Sequence, residues 1–147
     1  MTGEKAERFV VVSLRLLAAS FAVVGFLFIA FPDGVLDVIS DLGDEIGDFP
    51  RAPETEERLW LSLGFAFMVV ITGICLVAQT DVVRHRPLLL VLAAGKAASS
   101  LSSFAFFAFD DDVFIYLLNG IVDGSLVGVS LLLWSLAGRV AALAAPG

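Results

Sequence analysis

Apolar residues run along the chain in four long stretches that short polar segments separate. The stretches cover about 10–31, 60–78, 87–109 and 113–137. A helix needs about 20 apolar residues to cross a hydrocarbon layer of ~30 Å, so each stretch is long enough to span a membrane. The pattern predicts an all-α integral membrane protein whose residues 1–147 form a single domain, an up-and-down four-helix bundle.

The segment between the first two spans has a different pattern, which covers residues 33–48. Apolar residues recur there at helical spacing, at Val35, Ile39, Leu42 and Ile46. Acidic residues lie between them, which predicts an amphipathic helix that lies at the outer interface or caps the bundle. Gly47 and Pro50 are expected to end this helix, and Thr55 to cap the second span.

Composition narrows the class of protein further. Apolar residues make up 59% of the chain, charged residues only 17%, and the mean hydropathy is +0.94. This hydrophobicity excludes a disordered chain, and a single cysteine excludes a disulfide scaffold. A net charge of −7 argues against a partner made of nucleic acid.

The distribution of charge predicts the orientation of the spans. Basic residues lie near the N-terminus, in the second connection and in the C-terminal tail, at Lys5, Arg8, Arg84, Arg86 and Arg139. The first connection carries nine acidic residues against Arg51 and Arg58, and the third is Asp110–Asp112. Positive charge favours the cytoplasmic side. We therefore expect a multi-pass protein of the cell membrane with both termini in the cytoplasm.

Two ionisable residues interrupt the apolar spans near mid-depth. Lys96 lies about 13–14 Å from the inner boundary and Asp123 about 15 Å from the outer one, at 1.5 Å per residue. A short turn makes these spans antiparallel neighbours, so the two charges are expected to pair. Polar residues extend the pair into a seam, which comprises Tyr116, Asn119, Ser99, Ser100 and Ser103. The seam is either a functional site, as intramembrane charges commonly are, or a lock on helix register.

Two further features are candidates for packing or binding. Gly120, Gly124 and Gly128 form a groove on the fourth span that another helix could enter, either the first span or a second chain. Arg15 extends to the inner interface, or it turns inward to bind an anionic lipid headgroup or the seam.

The sequence shows little catalytic chemistry. The acidic face comprising Asp41, Asp44, Glu45 and Asp48 is either solvated or bridged by a cation, and its spacing is not that of an EF-hand. Cys75 and His85 are single residues of their kinds. We find no phosphate-binding loop, metal-ligand motif or nucleophile with a base. We therefore expect neither an enzyme, nor a cofactor, nor a metal site.

The first span carries Leu14-Arg15-Leu16-Leu17 and ends at Phe31-Pro32 before the amphipathic segment. This layout resembles the DoxX-like group of small four-span prokaryotic membrane proteins. Some members of that group are subunits of quinone-linked sulfur oxidation or thiol-stress complexes. The resemblance implies the four-span fold and assigns no site residue.

Three functional hypotheses remain. The first is a non-catalytic accessory or assembly subunit of a larger membrane complex, or a homo-oligomer. The second is a small transporter, a channel-like protein or a lipid- or quinone-binding protein that uses the Lys96–Asp123 seam. An enzymatic subunit role rests on the resemblance alone. The expected partners are membrane lipid and other membrane protein chains.

Overall fold

The structure is a computed structural model that describes residues 2–53 and 58–144, and it contains helices and short connections. The helices are α1 (Gly3–Ala30), α2 (Pro32–Gly47), α3 (Arg58–Ala78), α4 (Arg86–Phe109) and α5 (Phe114–Ala144). Four of them, α1, α3, α4 and α5, are long and apolar enough to cross a membrane. The all-helical class and the four candidate spans are therefore confirmed.

The helices are longer than the apolar stretches at both ends of the chain. α1 begins at Gly3 and α5 continues to Ala144, whereas the apolar stretches begin near residue 10 and end near residue 137. The residues added to α1 are Glu, Lys, Ala and Arg among others, which favour helix. A helix therefore continues beyond the point where its sequence stops being apolar.

The spans form two antiparallel pairs. In the α4–α5 pair, Arg86 Nε donates to the carbonyl oxygen of Trp134 at 2.9 Å, while Ser100 Oγ donates to that of Gly120 at 2.7 Å. In the α1–α3 pair, Arg15 contacts Gln79, and Gly25 lies against Met68. The N-terminus, the 79–85 connection and the end of α5 thus lie together at what we call the terminal end. The other end, which carries α2, is the α2 end.

The hydrophobic core occupies the half of the molecule next to the terminal end. Its fully buried members come from all four spans and include Val10, Leu14, Ile71, Cys75, Leu89, Leu92, Leu133 and Ala137. In contrast, no residue between 58 and 70 of α3 is buried. The two helix pairs therefore pack closely at the terminal end and separate towards the α2 end.

α2 covers the α2 end through its smallest residues. Gly43 and Ser40 are its buried positions, and Gly43 faces the Phe114 side chain at the start of α5. The expected end at Gly47 is confirmed, since Asp48 adopts the left-handed conformation with φ 53°. Of the expected apolar face, Val35 and Ile39 are half-buried and Leu42 and Ile46 are exposed. The closest approach to α5 is made by Gly43 instead, because the space beside Phe114 leaves no room for a Cβ atom. The Thr55 cap lies outside the described residues.

Candidate functional site

A buried ion pair joins α4 to α5 at mid-length. Lys96 Nζ lies 2.8 Å from Asp123 Oδ1, and the two side chains are only 5% and 6% exposed. The pairing expected from their depths is therefore confirmed. Lys96 lies on the inward face of α4, because it shares the helical spacing of the buried residues Leu92, Ser100 and Ser103. Asp123 is buried on the facing side of α5.

Two phenylalanines complete the surroundings of the Lys96 ammonium group. Nζ lies 4.9 Å from the ring centroid of Phe21 on α1 and 5.6 Å from that of Phe67 on α3. Both distances fall within the range of cation–π attraction. The site thus draws one residue from each of the four spans, and both the carboxylate and the two rings stabilise the Lys96 charge.

Sequence reasoning missed both rings. Phe21 carried a usable signal, since it shares a helical face with Leu14, Ala18 and Gly25 and therefore faces inward. Phe67 carried none, because it is one of 13 phenylalanines in the chain and its half of α3 has no polar face.

The Asp123 carboxylate keeps one oxygen available. Oδ1 accepts the hydrogen bond from Lys96. Every fully buried side-chain nitrogen or oxygen among residues 2–53 and 58–144 has a hydrogen-bond partner. Since Oδ2 of Asp123 has no such partner among the described residues, it is not fully buried, and the space beside it is the cavity that Asp123 lines.

The cavity lies between the two helix pairs and has a volume of about 560 Å³. Its polar lining consists of Ser20, Lys96, Ser99, Asn119 and Asp123. The remaining wall is mostly apolar and includes Phe21, Val24, Phe28, Trp60, Gly64, Phe67, Met68, Val122 and Leu126. The cavity lies where residues 58–70 of α3 bury no side chain, and within this stretch Phe67 reaches α4 at Gly95 and Lys96.

The rest of the seam divides into three roles. Asn119 Nδ2 donates to Ser103 Oγ at 2.8 Å and to Ser99 Oγ at 3.3 Å, so these residues connect α5 to α4 on the α2 side of the ion pair. Ser100 is buried and binds the Gly120 carbonyl, which makes it a helix contact. Tyr116 lies closer to the α2 end, and its ring centroid is 5.6 Å from that of Phe106.

A second cavity of about 380 Å³ lies between the first one and α2. The two share Phe28 and Asn119 in their walls, and the second adds Leu36, Pro53, Ser103 and Tyr116. The seam residues Ser103, Asn119 and Tyr116 thus line adjacent cavities that extend from the ion pair to the inner side of α2.

The glycine groove on α5 is largely filled by α4. A Cβ atom at Gly120 would lie 2.9 Å from the Phe104 ring, and one at Gly124 would lie 3.0 Å from Ser100 Oγ. Of these three glycines, Gly128 alone would place its Cβ atom with no described side chain within 4 Å. The structure therefore corrects the expected partner, which is neither α1 nor a second chain at Gly120 and Gly124. The turn at 110–113 forces α4 to be the neighbour of α5.

Arg15 does not join the seam. Its Nε donates to Gln79 Oε1 at 2.8 Å, its side chain is exposed, and it does not line the cavity at Lys96. Gln79 follows the last residue of α3, so the guanidinium is directed to the terminal end.

Other candidate chemistry is sparse in the part of the chain that the structure describes. No group of three or more His, Cys, Asp or Glu side chains is close enough there to hold a metal ion. Asp41 of the acidic face instead contacts Arg51. His85 lies in the 79–85 connection beside Thr80, and Cys75 is buried in the core.

No protein-family model, no curated protein and no solved structure matches this chain. The resemblance to the DoxX-like group stays a prediction. The geometry of the site is therefore what bears on function.

Proposed function

We propose that this chain is an integral membrane protein that holds one amphipathic, lipid-soluble molecule between its helices. The head of the molecule lies at Lys96 and Asp123, and its apolar part lies along the phenylalanine-rich wall. The observation that carries this proposal is the position of a buried ion pair in the wall of an otherwise apolar cavity of about 560 Å³. Small-molecule sites are commonly built in this way, concave and mostly apolar with a few polar groups.

The open carboxylate oxygen favours a binding role over a purely structural one. A pair that only fixed helix register would be best stabilised by complete enclosure, because every unsatisfied polar atom in hydrocarbon costs free energy. Here Oδ2 faces the cavity, and the surrounding rings hold the Lys96 ammonium in place. The site is thus preorganised for a further hydrogen bond.

The close packing in the half of the molecule next to the terminal end argues against a channel. Among the described residues, the buried side chains between the ion pair and the terminal end are apolar except for Ser130, and its hydroxyl donates to Leu126 of its own helix. An ion or polar solute would meet about half a membrane of closed apolar packing. A binding protein needs only the cavity.

The proposal places the chain in a membrane as a four-helix bundle with both termini in the cytoplasm. The support for this orientation is the excess of Lys and Arg at the terminal end and of acidic residues at the α2 end. The single cysteine makes a test simple. In a Cys75→Ser background, an impermeant maleimide added to intact cells should label Asp111→Cys and leave Thr2→Cys unlabelled; the reverse pattern would contradict the orientation.

Two glycines on α3 offer a matched test of binding. A Cβ atom at Gly64 or at Gly73 would have no neighbouring side chain within 4 Å, but only Gly64 lines the cavity. Native mass spectrometry of protein extracted in mild detergent should show a bound small molecule on the wild type and on Gly73→Leu. Gly64→Leu should carry it at several-fold lower occupancy. Equal occupancy in the two variants, or none in the wild type, would contradict the proposal.

The accessory-subunit hypothesis is the second candidate, and one observation favours it. Gly128 is open on the surface of α5, where another helix could approach closely. Gly128→Ile should then lower the apparent mass of the complex in detergent, whereas Gly124→Ile would disturb the α4 contact instead. An unchanged mass for Gly128→Ile would count against assembly through this face.

A further inference from the structure

We infer that the molecule held at this site has a neutral head group that donates a hydrogen bond, as the hydroxyl of a lipid-soluble alcohol does. This inference rests on the proposed function and specifies the chemistry of its ligand. Its basis is the set of polar atoms at the site that already have hydrogen-bond partners and the one at the ion pair that does not.

The donors of Lys96 and Asn119 are already engaged. Lys96 Nζ donates to Asp123, and its other sides face the Phe21 and Phe67 rings. The Asn119 amide group donates to Ser99 and Ser103. The hydroxyls of Ser20 and Ser99 also line the cavity, but a hydroxyl can donate or accept and so does not discriminate between head groups. At the ion pair itself, the atom that remains open is an acceptor, Oδ2 of Asp123, on a side chain that is only 6% exposed. A carbonyl or an ether head would place an acceptor against this acceptor, whereas a hydroxyl supplies the missing donor.

Charge balance excludes ionised heads. The Lys96–Asp123 pair is neutral as a unit, and its surroundings are apolar. A carboxylate head would bring a second negative charge to Oδ2, and an ammonium head would leave an uncompensated positive charge in the membrane interior, where an isolated charge is strongly disfavoured. A neutral donor satisfies Oδ2 at no cost in net charge.

The length of the wall sets the size of the apolar part. Phe67 marks the level of the ion pair, and Trp60 lines the same cavity seven residues earlier on α3. At 1.5 Å per residue, the two levels are about 10 Å apart along the helix. A chain of medium length with its hydroxyl at Asp123 therefore ends beside Trp60, whose fluorescence can report it.

The experiment uses the full chain in detergent with Trp134→Phe, which leaves Trp60 as the only tryptophan. The probes are 8-bromooctanol, its methyl ether and 8-bromooctanoate, whose bromine quenches a nearby indole. We expect saturable quenching by the alcohol at a concentration about tenfold lower than for either other probe, since a hydrogen bond to a charged group changes affinity by about that factor or more. Gly64→Leu should abolish the saturable phase and Gly73→Leu should retain it. The Trp60→Phe variant, which retains Trp134, measures quenching by probe in the micelle.

The outcomes separate the two proposals. If the ether quenches as well as the alcohol, the inference about the donor is overturned and the binding function stands. If the carboxylate binds most tightly, Lys96 is the recognising group and the inference is likewise overturned. If no probe gives saturable quenching beyond the micelle background, the proposed function itself is contradicted.

Discussion

The half of the molecule next to the terminal end has a core of apolar side chains from all four spans, and a cavity of about 280 Å³ lies only at its outer edge, between the ends of α1 and α5. The half next to α2 contains the larger cavities of about 560 and 380 Å³ and the buried polar residues Ser40, Ser100 and Ser103. In the packed half, residues such as Leu14 and Leu133 are fully buried and the helix pairs meet. In the open half, α3 carries no buried residue before Ile71, and the pairs separate. The ion pair lies at the boundary between the two halves.

This contrast separates stability from function within one short chain. Lipid tails are as apolar as leucine, so helices in a membrane associate through close packing and polar contacts. The packed half supplies the close contacts. It thereby allows the other half to keep a cavity and a polar site.

The largest expected effect comes from removing one charge at the boundary. Asp123→Leu leaves the Lys96 ammonium unpaired in an apolar site, which should cost about 3–5 kcal/mol of unfolding free energy. The double variant Lys96→Met with Asp123→Leu should recover most of that loss, because it removes the uncompensated charge. Unfolding by SDS titration in mixed micelles measures both. A double variant as unstable as the single one would show that the pair itself holds the halves together.

A second effect compares leucines from the two halves. Leu14→Ala removes a fully buried side chain from the core and should cost about 2–5 kcal/mol, because a void forms among closely packed neighbours. Leu61 lines the existing cavity, so Leu61→Ala opens no new void and should cost well under half as much. The same titration provides the comparison. Equal losses would mean that the open half is as tightly packed in the membrane as the terminal half.

Depth counting from sequence predicted the ion pair because the helical rise is fixed and a short turn forces α4 and α5 to be antiparallel. The same turn explains why α4 fills the groove at Gly120 and Gly124, a consequence that the spacing of the glycines alone does not give. The end of α2 followed from Gly47 and Pro50, whose backbone preferences are local.

The cavity could not be predicted from the sequence. In a membrane, an apolar residue that faces lipid and one that faces a neighbouring helix have the same character, so the pattern of α3 does not say where it stops packing. Phe67 therefore gave no sign of its place beside Lys96. The buried face of α2 was hidden for a related reason, since Gly43 is buried by virtue of its size and adds nothing to apolar periodicity.

A smaller effect concerns α2, the helix that covers the open half. A Cβ atom at Gly43 would lie 2.6 Å from Cβ of Phe114, so Gly43→Ala should displace α2 and cost about 1–3 kcal/mol through overpacking. Gly34 on the same helix has no side-chain atom closer than 4.0 Å, and Gly34→Ala should be neutral or stabilising by up to ~1 kcal/mol. Hydrogen exchange of the α2 amides should increase in the first variant only. Unchanged exchange in Gly43→Ala would show that α2 is not held at this contact.

The smallest effect compares two ion pairs with similar distances in different surroundings. Arg51 and Asp41 approach to 2.5 Å, but both side chains are 63% exposed. Water and salt screen such a pair, so Arg51→Ala should cost at most about 1 kcal/mol. The loss should shrink further when ionic strength is raised from ~0.1 to ~1 M, as the screening length falls from ~10 to ~3 Å. The loss in Asp123→Leu should be insensitive to salt, because the Lys96 charge is enclosed by rings and helices. If both losses fell together with added salt, the boundary pair would be as accessible to ions as the surface pair, and the open half would be a water-filled vestibule.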